Sequence, residues 1–180
     1  MAARVYITGA AGCGATTLGR AVARALKVPM VDTDDHYWVP TDPPYTEKYP
    51  TPERRARMAR LMAGQGWVVS GECEGWGDDM LAGASLVVFL TLARPLRLIR
   101  LRQREAARFG ARILPGGDME AIHRSFLDWA MSYDDEGAAG RSRARQEAWL
   151  TRQPAPVLRL DADAPIEVLV GGVVAALDQR

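Results

Sequence analysis

Arg4-Val-Tyr-Ile-Thr-Gly-Ala-Ala-Gly-Cys-Gly-Ala-Thr-Thr-Leu-Gly19 decides how the rest of the chain is read. Arg4 to Thr8 has the length and apolarity of a short buried strand. Gly9, Gly12 and Gly14 make a loop that can turn backbone N–H groups inward onto an anion. Thr16 then opens a helical run ending near Leu26, whose N-terminus adds its positive dipole end. Strand, glycine-rich loop and helix in this order are the setting of a phosphate-binding loop. Set against G-x-x-x-x-G-K-[ST], Gly9, Gly14 and Thr16 match, and Thr17 adds a second hydroxyl. Ala15 stands where the pattern has lysine. The expected nucleotide contacts are therefore Gly9, Ala10, Ala11, Gly12, Cys13, Gly14, Ala15, Thr16 and Thr17. A lysine at position 15 would hold the β- and γ-phosphates as a point charge, so another cation must supply that charge. Lys27 and Lys48 are the only lysines in the chain. Lys27 lies roughly 18 Å further along the helix, at about 1.5 Å per residue. Arginine is the available replacement.

The chain has 180 residues, 48% of them hydrophobic and 25% charged. These values predict one soluble α/β domain over 1–180 that needs no staples. A net charge of +1 gives no pull towards nucleic acid or membrane, and no apolar run reaches membrane-spanning length. Two cysteines make no disulfide framework, which fits a reducing cytoplasm. Cys13 and Cys73 fall in loops after strands and are expected to face the ligand. With the glycine loop so near the first residue, no signal peptide is expected. A monomer or homodimer is anticipated.

Val28 to Asp32 is a second apolar run, ending in Asp32-Thr33-Asp34-Asp35. Carboxylates just past a parallel strand lie beside the ligand crevice, where Asp32 suits Mg²⁺ and Asp34 an acceptor hydroxyl. The alternative is a solvated turn or helix cap. His36 to Pro52 is stiffened by proline and rich in aromatics, and Trp38 offers a flat face to substrate. Thr51 to Met62 reads as a helix with Pro52 in its first turn. Trp67 to Ser70 is a third strand, followed by a loop in which Gly71, Glu72 and Trp76 are candidate substrate contacts, Trp76 suiting a lid over the core equally well. Ala84 to Leu92 is a continuous apolar run suited to an interior parallel strand. Pro95 to Phe109 is a helix that places Arg100 and Arg104 on one face at i, i+4. A loop over Gly110 to Asp118, a helix over Met119 to Tyr133, and a helix leading from Arg141 to Arg152 follow. Val157 to Leu160 is the fifth strand, and Ile166 to Leu177 an amphipathic helix. Alternating strands and helices predict a doubly wound, five-stranded parallel sheet with its site at the strand C-termini.

With these residues assembled, the chain resembles the small P-loop kinases: adenylate kinase, other nucleoside monophosphate kinases, and shikimate- and gluconate-type kinases. It also looks like the bacterial adenylate kinase-related proteins described as topology modulators or P-loop ATPases. The resemblance covers nearly the whole chain in element order, and the P-loop is its specific motif. It implies ATP and Mg²⁺, with Thr16 and Asp32 serving the metal and Asp34 the acceptor. Gly71 looks like the substrate-touching glycine of the third-strand loop. Arg100 and Arg104 look like the arginine pair that flanks adenine and phosphates. The stretch 34–64 would be the acceptor-binding region and 109–143 a short lid. Arg104, Arg108, Arg112, Arg141 and Arg143 are the candidates to stabilise the transferring phosphoryl group, swinging in as the lid closes. Two functions follow from this reading. One is an ATP-dependent phosphotransferase acting on a nucleoside monophosphate or a small hydroxylated metabolite. The other is a nucleotide-binding sensor or slow ATPase, in which Ala15 marks the loss of transfer.

Overall fold

The computed structural model describes residues 3–138 and 140–179. Its frame is a five-stranded parallel sheet built from β1 (Arg4–Gly9), β2 (Met30–Asp32), β3 (Trp67–Ser70), β4 (Leu86–Thr91) and β5 (Val157–Asp161), in the order β2-β3-β1-β4-β5. This is the architecture expected from the alternating pattern. The glycine-loop strand β1 takes the centre, and the long apolar run β4 lies beside it, paired on both edges.

Side chains alternate across the pleat, so each interior strand feeds two cores. Val5, Ile7, Val88 and Leu90 pack on one face against Leu18 and Val22 of α1 (Ala15–Leu26) and Leu169 and Val173 of α8 (Ile166–Asp178). Tyr6, Val69, Val87 and Phe89 pack on the other face. Their partners are Met58 of α3 (Thr51–Met62) and Trp149 and Leu150 of α7 (Arg143–Leu150). Full burial on both faces makes β1, β3 and β4 read as unbroken apolar runs rather than alternating ones.

The structure departs from the sequence reading at element ends and in the loops. Asp34 and Asp35 open a one-turn helix, α2 (Asp34–Tyr37), instead of a turn. A second short helix, α4 (Asp78–Leu81), fixes the far end of the β3 loop. The helix α5 (Arg94–Phe109) passes directly into a 3₁₀ turn at Gly110–Ile113. Beyond it, α6 (Glu120–Met131) ends in another such turn at Ser132–Asp134. Ala139, inside the stretch expected to form the lid, lies outside the described residues. No helix among the described residues is long and apolar enough to cross a membrane.

Candidate functional site

The loop after β1 has the conformation that an anion cradle requires. Gly12 and Gly14 adopt φ of 82° and 96°, a region that L side chains rarely enter. Gly14 is the N-cap of α1 and provides no side-chain acceptor. Hydrogen bonding to the loop resumes at Leu18 N–H, which donates to Gly14 O at 2.9 Å. The first-turn amides of α1 therefore point out of the helix end without a capping side chain. The hydroxyls of Thr16 and Thr17 belong to this same turn.

β2 and β1 flank β3 in the sheet, so their C-terminal ends stand about 10 Å apart, two strand spacings. Asp32 and Asp34 lie at the β2 end. Asp32 Oδ1 accepts the Asp34 N–H at 3.1 Å, which fixes the relation between the two carboxylates. Asp34 is accessible to solvent but recessed in the cleft. Desolvation there, reinforced by Asp32, pushes its pKa above the ordinary aspartate value, while Arg141 and Arg104 act the other way. A carboxyl with a raised pKa beside a phosphate-type loop is suited to exchange a proton. Asp34, Asp35, Trp38, Val39, Pro40, Pro44 and Tyr45 line a cavity of about 200 Å³. A larger cavity of about 360 Å³ lies at the opposite, N-terminal edge of the sheet beside Arg4 and Trp67, far from this chemistry.

In the third-strand loop two of the candidate residues, Gly71 and Trp76, are engaged with the fold itself. Gly71 donates to Ile7 O and accepts from Tyr6 Oη, and a Cβ there would stand 2.0 Å from Thr33 Oγ1. Its smallness makes room for Thr33, and its polar groups are engaged within the fold. Trp76 is half-buried against Tyr37, with their ring centroids 6.2 Å apart, and packs onto the core beneath it. Glu72 does reach the cleft. Burial raises its pKa, against the pull of Arg141, whose Nη1 lies 3.6 Å from Glu72 Oε2. Trp38 stands on the cavity wall, edge to face with Tyr45 at 5.9 Å.

The arginines expected to act together are dispersed. Arg100 donates to Ala162 O at 3.1 Å, and its Nη1 lies 4.0 Å from the place of a Cβ on Gly14. Arg104, one turn on, instead pairs with Glu105 and lies over Phe126. The shared face is thus divided between two neighbourhoods. Arg108 donates to Tyr45 Oη at 3.3 Å. Arg112 bridges Asp118 and Asp42, and Arg143 pairs with Asp134 at 2.9 Å. Arg141 alone of this set contacts the phosphate loop itself, donating through Nη2 to Gly9 O. It is already seated in the floor of the cleft, rather than waiting on a mobile lid. Its side chain is 12% exposed. Burial opposes its charge, but the surrounding acidic groups, Glu72 and Glu74 foremost, together leave its pKa above the ordinary value.

Several residues of this neighbourhood were not singled out from the sequence. Glu74 Oε1 accepts from Thr8 Oγ1 at 2.8 Å and from Gln146 Nε2 at 2.9 Å. Gln146 also donates to Thr8 Oγ1 at 2.9 Å and accepts from Tyr133 Oη at 2.6 Å. This buried network ties the end of β1 to α7. A signal was present in the sequence: Gln146 falls at i, i+3, i+4 with Trp149 and Leu150, a lone polar residue on a core-facing stripe. Arg97, 1% exposed, donates to Leu92 O and pairs with Asp134 beneath the loop. Cys13 and Cys73, expected to face ligand, are 2% and 0% exposed, and burial raises both thiol pKa values. Both point inward because their small apolar side chains fill the space under the loops.

Among the described residues no group of three or more His, Cys, Asp or Glu side chains is placed to hold a metal by itself. Mg²⁺ does not need one, because it commonly takes one or two protein oxygens and completes its shell with phosphate and water. Thr16 and Asp32 fit that requirement.

No protein-family model matches the chain. Among solved structures, shikimate kinase from Bacteroides thetaiotaomicron superimposes with a TM-score of 0.58 at 19% identity, over 98% of each chain. Deoxyadenosine kinase from M. mycoides gives 0.57 at 10% identity, over 98% of this chain and 100% of that one. These likenesses are of fold, and the fold is that of the small P-loop kinases. Over 181 aligned residues, spanning the whole of both chains, the sequence is 38% identical to the uncharacterized protein YqaC of Bacillus subtilis (strain 168). The chain belongs to the family of that protein.

Proposed function

We propose that this protein is an ATP-dependent phosphotransferase that moves the γ-phosphoryl group of ATP to a small acceptor, a nucleoside monophosphate or a hydroxylated metabolite. The observation that carries the reading is one of position. The uncapped amide end of α1 and the raised-pKa carboxyl of Asp34 face the same cleft across one intervening strand. About 10 Å between the strand ends leaves room for a phosphoryl group in transit between them.

In this reading the amides of Gly9 to Thr17 hold the nucleotide phosphates, and Arg100 flanks the nucleotide. The Thr16 hydroxyl and the Asp32 carboxylate hold Mg²⁺. Mg²⁺, when bound there, would supply positive charge that neutralises part of the phosphate charge. Asp34 orients the acceptor hydroxyl and takes its proton. The stretch 34–64, with Trp38, Glu72 and the rim formed by Gly71 and Trp76, receives the acceptor. The stretch 109–143 forms a short lid region, latched to the acceptor arm by Arg112 on Asp42 and running at its far end into the cleft floor, where Arg141 is seated. The remaining arginines, Arg104, Arg108, Arg141 and Arg143, provide positive charge around the transferring group. Nucleotide and acceptor are the partners assigned, and the cytoplasm supplies both.

One observation favours the second reading, a sensor or slow ATPase: Ala15 provides no charge at the position of the P-loop lysine. Product analysis separates the two. ATP consumed only when an acceptor is present supports transfer. ATP bound and unchanged, or hydrolysed whatever acceptor is offered, supports the second reading.

A further inference from the structure

Resting on the phosphotransferase reading, we infer that Arg141 performs the task of the absent P-loop lysine, facing the γ-phosphoryl group from the floor of the cleft. The cation would thus have moved from α1 to the segment that leads into α7.

The other cationic side chains around the cleft have competing partners or the wrong place. Arg112 is held by two carboxylates, Arg143 by Asp134 and Arg104 by Glu105. Arg108 is an exposed side chain on Tyr45. Arg97 is buried beneath the loop with Asp134. Arg100 approaches from the Gly14 side but is anchored on the β5–α8 connection through Ala162 O. Arg141 reaches the first glycine of the loop through Nη2, and its Nη1 lies 3.6 Å from Glu72 Oε2 in the third-strand loop. It therefore stands between the phosphate loop and the loop that follows β3. Its Nε is buried and has no hydrogen-bond partner. A buried guanidinium N–H without an acceptor is unusual in a folded protein, and a phosphoryl oxygen is the kind of acceptor it lacks.

The surrounding chain holds this guanidinium in place. Ser142 caps α7, accepting from Arg145 N–H. Four residues on, Gln146 is clamped to Thr8 and Glu74. The start of α7 is therefore fixed against the end of β1, next to Gly9. A lysine on α1 is a flexible point charge, whereas a fixed arginine presents a planar fork to two oxygens at once. In the step itself the acceptor hydroxyl oxygen bonds to the γ-phosphorus, and the bond from that phosphorus to the β,γ-bridging oxygen breaks. The electron pair leaves with ADP and the hydroxyl proton passes to Asp34. Arg141 keeps its protons throughout and donates hydrogen bonds to oxygens on which charge accumulates.

The test is calorimetric and needs no knowledge of the acceptor. Affinities for Mg·ADP alone and for Mg·ADP with aluminium fluoride, a mimic of the group in transit, are measured on the parent protein. The same pair is measured for Arg141→Ala, Arg141→Lys, Arg100→Ala, Ala15→Lys and the Ala15→Lys/Arg141→Ala double variant. Arg141→Ala is expected to weaken the aluminium fluoride complex by about 10²-fold or more, the scale of one transition-state donor, and at least tenfold more than it weakens Mg·ADP. Restoring lysine should gain at least tenfold more in the Arg141→Ala background than in the parent, because the two cations would serve the same oxygens. Melting curves verify folding. If Arg141→Ala does not fold, Arg141→Lys and the double variant carry the comparison: a double variant that folds yet lacks the parent's preference for aluminium fluoride overturns the inference. Equal aluminium fluoride affinity in Arg141→Ala and parent overturns it, as does a larger loss in Arg100→Ala. A parent that binds no Mg·ADP overturns the phosphotransferase reading instead, and the inference with it.

Discussion

Replacing Gly12 by alanine separates what the loop does for folding from what it does for ligand. A Cβ at Gly12 would stand 2.8 Å from Arg97 O and 2.9 Å from Leu101 Cγ, at a φ of 82°. The left-handed backbone costs an L residue about 1–2 kcal/mol, and overpacking adds about 1–3 kcal/mol. Together they predict about 2–5 kcal/mol of lost stability. At about 2–4 °C per kcal/mol for a chain of this size, Tm falls by roughly 4–20 °C. Gly14 has a similar φ of 96° but no closer neighbour than Arg100 Nη1 at 4.0 Å, so Gly14→Ala bears only the backbone term, about 2–8 °C. Gly14→Val adds branches where phosphate is expected to sit. Melting with and without Mg·ATP tests both halves. At a hundred times Kd, ligand adds about 2.7 kcal/mol, or roughly 5–11 °C. The parent should show that shift and a folded Gly14→Val should lose it. A Gly12→Ala protein as stable as Gly14→Ala would refute the packing argument. A full nucleotide shift in Gly14→Val would refute the loop assignment.

Further outcomes follow from the same geometry. Asp34→Asn should lower turnover by about 10²–10⁴-fold, the worth of one positioned base, and a loss under about tenfold, with chemistry limiting, removes Asp34 from the mechanism. The raised Asp34 pKa means that the folded state binds its proton more tightly than the unfolded state. That group therefore costs stability as pH rises above the ordinary aspartate pKa and through the raised one. Asp34→Asn should accordingly melt higher than the parent near neutral pH, with the gain vanishing in acid; no gain at neutral pH contradicts the cause assigned. Asp32→Asn removes one of the two groups that raise that pKa, so the acid limb of the rate profile should move to lower pH. Gln146→Leu leaves Tyr133 Oη without its acceptor, while Thr8 and Glu74 keep their mutual bond, and should cost about 1–3 kcal/mol for that unsatisfied buried group, read by urea unfolding. Cys13 and Cys73 should react with a thiol reagent only after denaturation, because both are buried and protonated.

The frame was legible in the sequence because each part of it is written locally. The β1 run, its glycines and the Thr16-Thr17 turn are contiguous, and the Asp32-Thr33-Asp34 sequence sits directly after a strand. Apolar runs of four to nine residues mark the buried strands, and the helices between them fix the parallel order. The position of Arg141 was not legible, because its partner Gly9 lies 132 residues away. Charge count and spacing leave Arg104, Arg108, Arg112, Arg141 and Arg143 equivalent. Only the fold shows their different partners: Glu105 for Arg104, Tyr45 for Arg108, Asp42 and Asp118 for Arg112, Asp134 for Arg143, and the Gly9 carbonyl for Arg141. The inward turn of the cysteines was hidden, and the role of Trp76 left open between core and ligand, for a related reason. A small or flat side chain in a glycine-rich loop suits a ligand face and a core face equally well, and the neighbouring helices decide which it meets.

The central claim is transfer from ATP to an acceptor, and ³¹P nuclear magnetic resonance observes it directly. The protein is incubated with Mg·ATP and a panel of nucleoside monophosphates, nucleosides and hydroxylated metabolites, with Asp34→Asn in parallel. The account predicts a new phosphoryl resonance on one acceptor class, accompanied by one ADP for each product formed and nearly absent with Asp34→Asn. ATP left intact across the panel, or converted to ADP and free phosphate at the same rate with every acceptor and in Asp34→Asn, would contradict it.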